Sequence, residues 1–159
     1  MKKTDVLCNL IGTKYPIMQG GMAHISDAKL AAAVSNAGGL GIISAASGDV
    51  QKIAAEIDLC RTLTDKPFGV NIMLMGANID AIAELVAEKK VAVVTTGAGN
   101  PAKYIPMWHE AGIKVIPVIS TAAMAALMEQ SGADVTYQLD SIKQTKSDYA
   151  FSKVRTILF

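Results

Sequence analysis

The stretch Pro16-Ile17-Met18-Gln19-Gly20-Gly21-Met22 joins a short apolar run to a pair of glycines. Glycine is typical of positions where the backbone turns sharply or where another group comes close to it. A strand that ends in bare backbone can offer its N–H groups to an anion or to a flat ring. An ordinary tight turn between a strand and a helix explains the same residues equally well, so the rest of the chain has to decide between the two.

A strand, a turn and a helix then recur along the chain. Apolar runs typical of strands begin at residues 16, 40, 68, 91, 114 and 133, with spacings of 24, 28, 23, 23 and 19 residues. The segments between them carry apolar residues at helical spacing. The N-caps expected for these helices are Ser26 or Asp27, Asp49, Asn78 or Asp80, and Thr121. This spacing predicts βα units, whose right-handed crossovers make all the strands parallel.

Two α/β architectures fit such units: an open doubly wound sheet and a (β/α)₈ barrel. A dinucleotide-binding sheet should place its glycine-rich turn after the first strand, whereas residues 38–41 (GGLG) come before a strand. Polar or glycine-rich residues follow strand after strand: Gln19, Gly20, Gly21, Ser44, Asn71, residues 95–100 and Ser120. Because a barrel gathers its active site at the carboxyl ends of all its strands, this pattern favours barrel units.

The chain is shorter than a complete barrel of this type. Its 159 residues hold about five to six βα units, whereas a whole barrel takes about 250 residues. Residues 138–159 contain no glycine and do not continue the strand–helix pattern. We therefore predict a partial TIM barrel over residues 1–137 and a divergent tail over residues 138–159. A partial barrel leaves strand edges open, so cover by the tail or a homo-oligomer is expected.

Composition excludes several classes of function. A net charge of +1 gives no argument for nucleic acid or an acidic membrane, and no apolar run reaches the length of a membrane span. The N-terminus has no signal-peptide pattern, and the isolated Cys8 and Cys60 are typical of reduced cytoplasmic thiols. His24 and His109 have no second ligand at a fitting spacing, so no metal site is predicted.

Four stretches in order resemble the flavin-dependent enoyl-acyl-carrier-protein reductase II proteins, which belong with the nitronate monooxygenases (2-nitropropane dioxygenases). They are residues 15–22 (YPIMQGGM), 33–41 (AVSNAGGLG), 66–71 (KPFGVN) and 95–101 (TTGAGNP). The resemblance covers about residues 5–134 and implies an FMN-binding TIM barrel. Residues 95–101 are closer to the reductase branch than to the monooxygenase branch.

The resemblance also implies which residues contact the flavin. Gly20, Gly21 and Met22 match the backbone that packs against the flavin ring, and Asn71 matches a flavin-contacting amide. The loop beside the ring corresponds to Thr95, Gly97 and Gly99. For Asn71 the structural alternative is a hydrogen bond within the barrel, and for the loop it is ordinary helix-entry chemistry.

The catalytic part of the family pattern is not found. In the family, the strand after a Gly-Ala-Asp such as residues 132–134 leads to a glycine-rich segment with a catalytic histidine. Here residues 135–141 read VTYQLDS, with neither glycine nor histidine, and the two strands that hold the FMN phosphate are not recognisable. His109 follows a strand on a helix and cannot replace that histidine. No catalytic residue is therefore assigned.

By resemblance, the expected function is NAD(P)H-dependent reduction of an enoyl thioester in fatty acid synthesis, with FMN as cofactor, in a cytoplasmic protein. A nitronate monooxygenase is the first alternative, with a nitronate as substrate. An inactive truncated remnant, or a non-catalytic protein that binds flavin or a partner, is the second. The sequence does not choose between NADH and NADPH.

Overall fold

The computed structural model describes residues 3–138 and 155–157, and side chains over residues 5–137. The helices are α1 (Lys3–Ile11), α2 (Ala28–Asn36), α3 (Val50–Leu63), α4 (Ile79–Glu88), α5 (Ile105–Glu110) and α6 (Ala122–Gln130). The strands are β1 (Gly41–Ser44), β2 (Phe68–Met73), β3 (Val93–Gly97), β4 (Lys114–Ile119), β5 (Val135–Gln138) and β6 (Arg155–Ile157). Within these residues, no helix combines the length and the apolar character needed to cross a bilayer.

The strands form one sheet in the order β1-β2-β3-β4-β5-β6, and every neighbouring pair is parallel. A doubly wound sheet reverses its strand order at a switch point, and no reversal occurs among the described strands. A strand order that follows the sequence is that of a barrel, in which each βα unit is added beside the previous one. The predicted α/β class with partial-barrel units is therefore confirmed.

The predicted first strand over residues 16–18 is wrong in its extent. Only Met18 forms a β-bridge, parallel to Leu40. The Leu40 N–H donates to the Ile17 carbonyl at 2.8 Å, and the Gln19 N–H donates to the Leu40 carbonyl at 3.0 Å. Pro16 has no N–H to donate, and the glycine pair follows after Gln19, so the pairing stops after one bridge.

Two apolar layers cover the two faces of the sheet. The outer layer lies between the strands and helices α2–α6 and contains the fully buried Trp108, Ile57 and Ile72. The inner layer contains Leu40, Ile42, Val93, Ile116 and Val135, with Leu7 and Ile11 of α1 packed among them. Helix α1, which the sequence analysis did not predict, therefore covers the apolar residues on the inner face of the sheet.

Most helix starts follow the local sequence. Asp27, Asp49 and Thr121 each accept a hydrogen bond from the backbone N–H three residues later, as N-cap side chains do. Asn78 occupies the N-cap of α4 in the left-handed conformation (φ 55°) and makes no side-chain cap bond. Its Nδ2 instead donates to the Gly48 carbonyl at 2.9 Å.

Four residues of the predicted divergent tail belong to the sheet, because Gln138 ends β5 and Arg155–Ile157 forms β6. Arg155–Ile157 pairs in parallel with β5. The rest of residues 139–159 lies outside the described part of the chain. The division of the chain after residue 137 stays a prediction.

Candidate functional site

The predicted site residues follow the ends of the strands. Because the strands are parallel, their last residues share one edge of the sheet, which we call the carboxyl edge. Its strands end at Ser44, Met73, Gly97 and Ile119. The opposite edge, where the strands begin, is the amino edge. Each helix returns the chain from the carboxyl edge to the amino edge, so the loops after the strands are gathered at the carboxyl edge.

Asn71 and Thr95 form a polar pair near this edge. They are register partners on β2 and β3, and the Thr95 hydroxyl donates to Asn71 Oδ1 at 2.8 Å. Thr95 is 4% exposed, and it shares the inner face with Val93, two residues earlier on the same strand. Asn71 Nδ2 makes no hydrogen bond to the described part of the chain. It is therefore a donor available to a ligand.

Gln19 and Ser26 hold the loop that contains the glycine pair. Gln19 Nε2 donates to Ser26 Oγ at 2.7 Å and to the Ile42 carbonyl at 3.1 Å. Ser26 Oγ donates to the Gly20 carbonyl at 3.2 Å and accepts from the Met22 N–H at 2.9 Å. These bonds tie the loop to β1 and to itself, so the backbone around the glycines is fixed by two polar side chains.

The glycines differ in what surrounds them. A Cβ on Gly21 would lie 2.4 Å from Asn71 Cβ, so the absence of a side chain lets this backbone pack directly against the polar pair. A Cβ on Gly20 or Gly97 would meet no atom within 4 Å. Bare backbone beside open space can contact a flat ring face to face, which a side chain would prevent.

The remaining two predicted residues have other surroundings. Met22 is 43% exposed, so its thioether side chain is accessible to a ligand. A Cβ on Gly99 would lie 2.7 Å from Leu74 Cβ, so Gly99 packs against the loop after β2 instead of facing open space. The structure thus brings Gly21, Asn71 and Thr95 into contact, leaves Gly20 and Gly97 open, and uses Gly99 to join two loops.

The two histidines differ in their position relative to this cluster. His109 Nε2 is 2.9 Å from Asp134 Oδ2. The same carboxylate accepts from Lys114 Nζ at 3.2 Å and from the Val115 N–H at 2.9 Å. Lys114 begins β4, so this group belongs to the amino edge. His24 is exposed, in the loop after the glycine pair. Among the described residues, no three His, Cys, Asp or Glu side chains are grouped as metal ligands would be.

Sequence reasoning gave Ser26 only a helix-capping role and placed Gln19 among the polar residues that follow the strands. In the structure both organise the loop that contains the glycine pair. Their positions in the sequence could have indicated this role. Gln19 directly precedes the glycine pair, and Ser26 lies just before the next helix. Their partners, Ile42 and the Gly20 carbonyl, are known only once the loop folds back on β1.

The arrangement suits a planar, polar-edged ring. Backbone groups at Gly20, Gly21 and Gly97 can bond or pack against such a ring, and Asn71 Nδ2 can donate to its edge. The seven predicted residues include no ionisable side chain. They can therefore bind and orient a redox cofactor, while a proton donor or acceptor would have to come from elsewhere.

The chain matches one protein-family model and several curated proteins. The family model described as nitronate monooxygenase matches residues 4–85. A Mycobacterium tuberculosis protein named (3aS,4S,5R,7aS)-5-hydroxy-7a-methyl-1-oxo-octahydro-1H-indene-4-carboxyl-CoA dehydrogenase is 37% identical over 134 residues, which are 84% of this chain and 38% of that protein. The chain thus spans about two-fifths of this curated relative.

The chain is also similar in fold and sequence to solved structures. FabK from Thermotoga maritima matches with a TM-score of 0.83 and 43% identity, over 87% of this chain and 44% of FabK. A nitroalkane oxidase from Streptomyces ansochromogenes matches with a TM-score of 0.75 and 27% identity, over 83% of this chain and 47% of that enzyme. In both cases the described fold corresponds to less than half of the larger protein.

Proposed function

Since the chain belongs to the nitronate monooxygenase family, we propose that its carboxyl edge binds the isoalloxazine ring of FMN. The observation that carries this proposal is the packing of Gly21 against Asn71, which is hydrogen-bonded to Thr95, beside the open backbone of Gly20 and Gly97. In this proposal Asn71 Nδ2 donates to the polar edge of the ring, and Met22 offers a soft apolar contact.

We propose further that this ring site serves an FMN-dependent oxidoreductase that reduces the double bond of an enoyl thioester with NAD(P)H. The 43% identity to FabK, against 27% to the nitroalkane oxidase, supports the reductase reaction. When bound, FMN would supply the hydride chemistry. The described residues would bind and orient the ring and exclude water from one of its faces.

The second candidate is oxidation of an alkyl nitronate with O₂. The match of residues 4–85 to the nitronate monooxygenase model favours it. Both candidates need the same ring site, so they differ in what reaches the flavin and not in how Gly20–Gly21 and Asn71 hold it. A third candidate, flavin binding without catalysis, follows from the absence of histidine in residues 135–141.

The first test is a titration of FMN with the purified chain, following flavin fluorescence and the visible spectrum. We expect saturable binding with quenched fluorescence. Gly97→Ala should fold normally, because its Cβ meets no protein atom within 4 Å. It should weaken FMN binding about tenfold or more, since the methyl group occupies the space proposed for the ring.

Gly112→Ala is the matched control at the amino edge. Its positive φ of 82° makes the substitution strained, so it should cost stability and leave FMN affinity unchanged. Absence of FMN binding by the unaltered chain would overturn the proposal. Equal affinity of Gly97→Ala and the unaltered chain would remove Gly97 from the site.

Substrate assays then separate the three candidates. NAD(P)H oxidation that depends on an enoyl thioester supports the reductase, and O₂ consumption with an alkyl nitronate supports the monooxygenase. FMN binding with neither activity supports the non-catalytic alternative. Gel filtration of the same sample tests the predicted homo-oligomer.

A further inference from the structure

A compact polar cluster joins the starts of α4 and α5. Tyr104 Oη donates to Asp80 Oδ1 at 2.6 Å, and Lys103 Nζ lies 2.8 Å from the same oxygen. The Lys103 ammonium also lies 4.6 Å from the centroid of the Tyr104 ring. One carboxylate oxygen on α4 thus receives two donors from the residues just before α5.

Tyr104 is the most buried residue of this cluster. It is 8% exposed, and its ring stacks on Trp108 with centroids 5.3 Å apart. Trp108 is itself fixed, because its Nε1 donates to the Ala83 carbonyl of α4 at 3.0 Å. Lys103 and Asp80 have mostly exposed side chains, and an exposed ion pair contributes little. The Tyr104–Asp80 hydrogen bond is therefore the stronger contact of the two.

The titration behaviour of the cluster agrees with this geometry. The hydrogen bonds from Lys103 and Tyr104 hold the pKa of the Asp80 carboxyl below its usual value. Burial, and the hydrogen bond to Asp80, raise the pKa of the Tyr104 hydroxyl. At neutral pH the donor is therefore protonated and the acceptor is ionised, which is the strong form of this bond.

The cluster fixes the far ends of two loops that meet at the carboxyl edge. The loop over residues 74–78 follows β2, and the loop over residues 98–104 follows β3. Near the strands, the Leu74 N–H donates to the Gly97 carbonyl at 2.9 Å, and Gly99 packs against Leu74. At the other end, Asp80 and Tyr104 join the same two loops again.

We propose that Asp80 and Tyr104 form a clamp that positions the β3–α5 loop beside the flavin ring. The inference rests on the proposed function, since the loop directly follows Gly97, the last residue of β3, which lies two residues after Thr95. Both are positioning residues: they act through the loop and not by contact with the reacting atoms. The clamp sets how closely the backbone at Gly97 approaches a ring held by Asn71.

Tyr104→Phe is the test, because it removes the hydroxyl and keeps the ring that stacks on Trp108. We expect FMN affinity to fall about three- to tenfold, in line with the loss of one hydrogen bond, and the visible spectrum of bound flavin to shift toward that of free flavin. A purely structural role would lower the urea midpoint and leave affinity and spectrum of the folded protein unchanged.

The matched control is Tyr15→Phe. The Tyr15 side chain is exposed, and within the described part of the chain its hydroxyl makes no hydrogen bond. This variant should bind FMN like the unaltered chain. Equal affinity and equal spectra for Tyr104→Phe and Tyr15→Phe would overturn the clamp while leaving FMN binding itself intact. Failure of the unaltered chain to bind FMN would overturn the clamp and the proposed function together.

A second set of variants tests whether the two residues act as one unit. Asp80→Asn keeps an acceptor for Tyr104 and should restore most of the affinity that Asp80→Ala loses. The double variant Asp80→Ala with Tyr104→Phe should bind FMN no more weakly than the worse single variant. Additive losses would show that the two residues act independently, which contradicts a clamp.

Discussion

At the amino edge of the sheet the strands meet apolar cover and paired charges, whereas at the carboxyl edge they meet open backbone. Leu7 and Ile11 of α1 pack into the inner layer, and one carboxylate, Asp134, receives His109, Lys114 and a backbone N–H. At the other edge, Gly20 and Gly97 face open space.

Exposed apolar side chains are a further difference between the carboxyl edge and the amino edge. Met22, Met73 and Met75 are all exposed, and they lie on or next to the ends of strands at the carboxyl edge. Asn71 Nδ2, which makes no hydrogen bond within the described residues, the open glycines and the exposed methionines contribute little packing. The same strands therefore provide stability at one end and, in our proposal, ligand binding at the other, the division known for barrel enzymes.

The largest expected effect concerns Gly41, the first residue of β1. A Cβ there would lie 1.8 Å from the Ala31 carbonyl oxygen, which is backbone of α2. The helix would have to move, so Gly41→Ala should lower the free energy of unfolding by about 3 kcal/mol or more, or give no folded protein. Urea denaturation followed by circular dichroism measures this.

Gly20→Ala is the matched substitution at the carboxyl edge. Its Cβ meets no protein atom within 4 Å, so the urea midpoint should stay close to that of the unaltered chain. If Gly41→Ala were as stable as Gly20→Ala, the close packing of α2 on β1 would be incorrect.

A smaller effect is expected from α1. Ile11 is buried in the inner layer, and Ile11→Ala should cost about 2–3 kcal/mol of unfolding free energy because it leaves a cavity under the sheet. FMN affinity of the folded protein should not change, since the substitution lies at the covered end. Stability is measured by urea denaturation and affinity by flavin titration.

Leu127→Ala on α6 serves as the comparison, because Leu127 is 44% exposed. It should change stability by no more than about 0.5 kcal/mol. A large loss of FMN affinity in Ile11→Ala would mean that the two edges are coupled, which contradicts a division between a stabilising edge and a ligand-binding edge.

The smallest expected effect concerns the buried thiol of α3. Burial and the nearby Glu56 carboxylate raise the pKa of Cys60 from 9.0 to about 11, against the opposing charge of Arg61. Since the pKa is raised in the folded state, the stability that Cys60 contributes is present below pH 9 and is lost as the pH rises toward 11. The stability difference between the unaltered chain and Cys60→Ala should therefore shrink over that interval.

Thiol labelling provides an independent measurement of the same residue. At pH 8 the raised pKa leaves about a hundredfold less thiolate than an unperturbed cysteine would have. The half-buried Cys8 should be labelled first, and Cys60 only after unfolding in urea. Equally fast labelling of both thiols in the folded chain would contradict the burial of Cys60.

The local chemistry of the helix starts could be read from the sequence. Asp27, Asp49 and Thr121 cap their helices as predicted, because a capping side chain bonds to backbone only three residues away. The start of the strand at Lys114 was also placed correctly. Such features depend on neighbours along the chain, which the sequence contains in full.

The features that were predicted wrongly or missed depend instead on contacts between residues far apart in the sequence. The predicted strand over residues 16–18 is a single bridge because its length depends on the partner that Leu40 provides. Helix α1 was missed because its nine residues gain most of their stability from packing on the inner layer and not from their own propensity.

The sequence by itself determined the parallel βα order, the helix caps and the family, since each rests on local patterns or on ordered motifs. Only the tertiary structure decided that Asn71 contacts Thr95 and Gly21, that Ser26 holds the glycine loop, and that Asp80 joins Tyr104. These contacts link residues that are six to 50 positions apart. The register between strands and the return of each helix bring them together, and no single stretch of sequence contains that information.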